Sequence, residues 1–90
     1  MMASHLKKGD KLFMVGKHRT LYGEVIDPPT FDSVSVVGPP IYYWEATLLT
    51  GGGRTERRMI VAGKSGEVKF IIERNGETIF SPKFRKEVQR

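Results

Sequence analysis

Few residues in this chain are of types and at spacings that could do chemistry. Two histidines, His5 and His18, lie thirteen positions apart, with no cysteine anywhere and no H-x-x-x-H spacing, so a metal site is not expected. Gly63-Lys64-Ser65 matches the tail of a phosphate-binding loop. The full pattern needs glycine five residues earlier, where Arg58 stands, and a helix afterwards, where the strand-like run EVKFII follows; the segment reads as a turn. Gly51-Gly52-Gly53 lacks G-x-G-x-x-G spacing and reads as a hairpin loop. The carboxylates Asp10, Glu24, Asp27, Asp32 and Glu45 are scattered, so no acid/base pair can be placed in one cleft. Ser33, Ser35, Ser65 and Ser81 sit in no nucleophile-elbow motif. The expectation is a protein that is not an enzyme and has no cofactor.

What remains is basic residues near aromatics. Arg54, Arg57 and Arg58 follow the triple glycine, and Tyr42, Tyr43 and Trp44 precede it. A hairpin turning at the glycines brings the arginines opposite Tyr43 or Tyr42 and their neighbours. Small β modules that hold single strands combine stacking aromatics with phosphate-binding Lys and Arg. On that reading Arg54, Arg57, Arg58, Lys64, Lys83 and Lys86 contact nucleic-acid backbone and Tyr43 stacks on a base. Arg57 and Arg58 point to alternate faces of a strand, so only part of this set can serve one surface. The plain alternative is a Tyr43 packed under a loop and arginines that are simply solvated.

The charge balance agrees with a basic face. The 90 residues carry 15 Lys and Arg against 10 Asp and Glu, a net +5. The first fifty residues hold five of each sign, and the last forty hold ten basic against five acidic. That excess suits nucleic acid or another acidic partner, and equally a solubilising surface. A second class of function is therefore kept: a protein-interaction or assembly module using the hairpin tip 49–58 or an edge segment 30–38, including a homo-oligomer.

The elements that would position these residues are short strands. Ninety residues make one domain, which buries roughly 60% of its unfolded surface. No apolar run approaches the roughly 20 residues of a membrane helix, and the N-terminus has no secretory h-region, so no membrane association and a cytoplasmic address are expected. Residues 1–8 read as a polar, flexible tail and 9–90 as the domain. Strands are expected over 11–15, 21–27, 33–36, 41–50, 54–62 and 67–73, with a returning strand over 78–80. Gly23 marks a bulge or a close backbone approach. Pro28-Pro29 ends the second strand and Pro39-Pro40 bounds the third. Trp44 points inward with Ala46 and Leu48. Asn75-Gly76 is a type I′ turn signal. Ser81-Pro82 reads as the start of a short C-terminal helix, with Phe84 and Val88 on one face.

These strands argue for an all-β, mainly antiparallel fold of about five to seven strands, a small barrel or sandwich. Gly9-Asp10-Lys11-Leu12, followed by Gly23-Glu24-Val25-Ile26, resembles the opening of small SH3-like barrels, and that resemblance over about twenty residues implies an SH3-like barrel.

Overall fold

The computed structural model describes residues 1–35 and 37–82. It is all-β. Strands β1 (Lys11–Met14), β2 (Thr20–Val34), β3 (Ile41–Leu49), β4 (Thr55–Ala62), β5 (Ile71–Arg74) and β6 (Glu77–Phe80) form one antiparallel sheet. Its order is β4-β3-β2-β1-β5-β6. The expected closure does not occur: the sheet is neither a closed barrel nor a two-sheet sandwich. β6 is exposed at three of its four positions and extends the sheet past β5, with only Phe80 packed against the core. The helix expected after Ser81-Pro82 falls outside the described residues.

The largest departure from expectation is β2. Pro28-Pro29 does not end it; the strand runs on for fifteen residues and absorbs the piece expected as a separate third strand. Its pairing with β1 stops at Glu24, the Val25 backbone bonds Gly9 and Asp10, and beyond that β3 is its only strand neighbour among the described residues. The prolines sit where Asp27↔Thr47 gives way to Thr30↔Glu45, three steps of β2 against two of β3. In such a bulge neither proline is asked for a ladder hydrogen bond, so both are tolerated.

Gly23 fulfils both readings made of it. The β1–β2 register slips beside it, from Leu12↔Gly23 to Phe13↔Leu21. A side chain there would meet Leu48, since an added Cβ would lie 2.8 Å from the Leu48 Cβ. The Asn75-Gly76 turn has positive φ at both residues, 53° and 81°, as a type I′ hairpin requires. β5 begins only at Ile71, later than expected, because Glu67 pairs with Met2 and Val68 turns inward.

Leu12, Val25, Leu48, Ile72 and Val68 are fully buried, joined by Ala46 and Ile60. Removing each large side chain from water contributes about 1.5–3 kcal/mol. The N-terminal segment, expected as a flexible tail, belongs to this core. Ala3 and Leu6 are buried and residues Ala3–His5 form a 3₁₀ turn. The Ala3 N–H donates to Gly66 O and the Val68 N–H donates to Met1 O. Met1 packs against the same cluster, so three apolar side chains dock this short segment on the core.

Candidate binding surfaces on the β2–β3 arm

The second half of β2, the first half of β3 and the loop between them form an arm. The hairpin register shows where the sequence-selected residues stand. Thr47 faces Arg57 and Ala46 faces Arg58, whereas Tyr43 faces Ala62. The arginines are therefore not opposite Tyr43 or Tyr42. A bulge between Trp44/Glu45 and Val61/Met59 shifts the pairing, and the glycine loop sets the tip at Leu49↔Thr55. The exposed tip was correctly expected: Gly51–Thr55 are all solvent-facing.

Arg57 lies on the outer face. Its Nε is 3.2 Å from Glu45 Oε1, and its terminal nitrogens donate to Thr47 Oγ1 and Thr30 Oγ1 at 3.2 and 3.4 Å. Tyr43 shares that face. Its phenol pKa is raised by partial burial and then by the negative Asp32 and Glu45, with Arg57 opposing. Arg58 lies on the core-side face. It donates to Tyr22 O at 3.0 Å and to Glu56 Oε1 at 3.2 Å. Its guanidinium carbon stands 5.1 Å from the centre of the Tyr22 ring, which in turn stacks on Phe70 at 4.6 Å. Both arginines are thus committed to internal partners on opposite faces. Arg54 is exposed at the tip. Lys64 Nζ stands 4.5 Å from the Tyr42 ring centre. Lys83 and Lys86 lie outside the described residues. No single face gathers the selected set.

The arm carries features that the spacing of charges and aromatics did not reveal. Phe31 pairs with Trp44 across the strands, their rings tilted at 5.2 Å, and stacks nearly parallel to Tyr42 at 5.8 Å and 7°. Trp44 is only half-buried. Its Nε1–H is enclosed beside Gly66 without a hydrogen-bond partner. Among the described residues of the arm, four large apolar side chains are exposed: Phe31 and Val34 at 45%, Ile41 at 64% and Val37 at 91%. The only signal for this in the sequence was the run of apolar residues around Pro39-Pro40, which reads equally well as core.

From Ile26 to Val34, β2 has no strand on its second side among the described residues. The Ser33 N–H turns to that open side and donates to the Asp32 carboxylate at 2.8 Å. By strand alternation the Phe31 N–H points the same way. The charge here is inverted relative to the whole. Between Arg19 and Arg54 stand Glu24, Asp27, Asp32 and Glu45 and no Lys, Arg or His. Of the four, only Glu45 is within ion-pair distance of a cation among the described residues.

Among the described residues, no three His, Cys, Asp or Glu side chains gather as a metal site, and no helix is long and apolar enough to cross a membrane. No family model, curated protein or solved structure matches the chain.

Proposed function

We propose that this protein is a non-catalytic β module that binds another polypeptide through the β2–β3 arm. The observation that carries this reading is the open edge of β2 on an arm that exposes Phe31, Val34, Val37 and Ile41. An unpaired strand edge offers main-chain donors and acceptors to an extended segment, and exposed apolar side chains beside it offer the area that such docking buries. The arm suits this role better than the hairpin tip, whose exposed residues are three glycines, Arg54, Thr55 and the already paired Arg57. An SH3-like, incompletely closed barrel is part of the same proposal. It is supported by β2, which pairs with β1 in its first half and with β3 alone in its second.

The test is selection of binders from a displayed library of extended peptides, with their footprint read from backbone amide shifts. Shifts confined to residues 26–34 and 41–45 are expected. A footprint on β6 or on the 50–55 tip overturns the reading.

One observation favours a nucleic-acid ligand instead. Exposed Phe31 stacks on half-buried Tyr42, with the Lys64 ammonium over the Tyr42 ring. Exposed rings beside a cation are what base stacking uses. The site would then be Phe31, Tyr42 and Lys64, not Tyr43 with Arg57 and Arg58. The arm's carboxylates oppose a polyanion, which ranks this reading second. Fluorescence anisotropy of a labelled oligothymidine at low salt decides it: no binding, or binding unchanged by Phe31→Ala and Lys64→Glu, removes it.

A further inference from the structure

We infer that the open edge of β2, from Thr30 to Val34, takes an extended cationic peptide, and that Asp32 selects it. This rests on the arm being a polypeptide-binding surface and names the class of its partner. Pro28 and Pro29 have no N–H, so they offer a docking strand no main-chain donor. The donors on offer are the Phe31 and Ser33 N–H groups. One of them is already occupied, since the Asp32 carboxylate caps the Ser33 N–H at 2.8 Å. An incoming strand that takes this N–H with its own carbonyl displaces the carboxylate. The displaced charge then lies against the new strand with some of its water removed, a costly state unless a cation meets it.

The surroundings supply no such cation. Arg57 reaches Thr30 Oγ1 on this face, but its ion pair is with Glu45. Asp27 and Asp32 have no ion-pair partner among the described residues, and the whole span between Arg19 and Arg54 is free of Lys, Arg and His. The partner must therefore bring the positive charge. A residue opposite Asp32 on the docking strand is the one placed to do so. Phe31 and Val34, on opposite faces of β2 and both exposed, give apolar contacts to either face of the incoming strand. A second copy of the same edge fits poorly. Antiparallel pairing of Phe31 with Ser33 of the copy sets Asp32 directly against Asp32, and like charges in that position are destabilising.

The probe is a set of three blocked heptapeptides of alternating sequence, valine with lysine, valine with serine and valine with glutamate. Each is titrated into the isotopically labelled full chain at low salt and followed by amide shifts. The lysine peptide is expected to move the Phe31 and Ser33 amides and to bind at least about fivefold tighter than the serine peptide. The glutamate peptide should bind weakest, and Asp32→Asn should abolish the order. Equal binding of the lysine and serine peptides at residues 30–34 overturns the cationic class while the arm remains a peptide site. Absence of shifts there with all three overturns the edge site itself. Concentration-dependent shifts of Phe31 and Ser33 without peptide would assign the edge to a second copy and overturn the inference.

Discussion

At the residue scale, the most constrained polar group is Asp10, which is 1% exposed. Its two oxygens accept from Arg74 Nε and a terminal nitrogen, both at 2.7 Å, and one also accepts from the Lys7 N–H at 2.9 Å. Arg74 reaches on to His5 O, so one ion pair ties the N-terminal turn to β5. The carboxylate raises the guanidinium pKa still further, chiefly by hydrogen bonding. Asp10→Asn keeps the shape but removes the charge, and should lower Tm by roughly 10 °C, read by circular dichroism. An unchanged Tm would mean that the pair is dispensable. Trp44 is the second case. Its ring is enclosed by Phe31 and Gly66, and Trp44→Ala should cost about 3 kcal/mol in urea denaturation. Tyr22 supplies a pH dependence. Its phenol donates to Met59 O at 2.8 Å, and its pKa is raised above 10 by burial, against the pull of Arg58. The folded state then holds this proton where the unfolded chain has lost it. The stabilisation is whole below pH 10 and drains as pH rises through the folded value. Tyr22→Phe should flatten that alkaline loss of stability, and an unaltered pH profile would refute the assignment.

At the scale of elements, the two hairpins differ in how fully their residues announce them. Asn75-Gly76 needs positive φ at two adjacent positions and has it. Gly76→Val forces a β-branched residue to that angle and should destabilise by about 2 kcal/mol, measured by chemical denaturation. The β2–β3 arm is less legible. Two prolines in a row read as a terminator, yet the strand passes through them, because proline is forbidden only where a ladder partner waits for its N–H. The same logic gives a test of the open edge. The Ser33 N–H bonds only the neighbouring Asp32 side chain, whereas alternation turns the Val34 N–H towards β3. Val34→Pro should therefore be worse than Ser33→Pro by about 1 kcal/mol. Equal costs would show that the second side of β2 is not open.

At the scale of the whole molecule, the protein is a thin core at the centre of an open sheet, with hairpins projecting from it. Leu12, Val25, Leu48 and Ile72 come from four adjacent strands, β5-β1-β2-β3. Hydrogen exchange should be slowest at these positions and fast at Phe31, Ser33 and the glycine tip. The net charge of +5 divides as −4 between Arg19 and Arg54 and +9 over the rest, that is 15 basic less 6 acidic. Splitting the chain after residue 50 conceals this and suggests a single basic face instead. The stretch between Arg19 and Arg54, which contains the arm, is thus the acidic segment of a basic protein.

Most of the strand positions, the two turns and the inward pair Ala46 and Leu48 were legible because alternation and glycine or Asn-Gly chemistry act within a few residues. The register of β3 against β4 was not: the tip at Leu49↔Thr55 sets Arg57 opposite Thr47 and Arg58 opposite Ala46, away from Tyr43, and the bulge between Trp44 and Glu45 adds one residue more. Nor was the docking of Ala3 and Leu6, which depends on a gap that exists only once the sheet has formed. The triple glycine required that a hairpin turn there. Which side chains the hairpin brought together, and which edge of β2 it left open, depended on contacts between residues far apart in the chain, and those only the tertiary structure could decide.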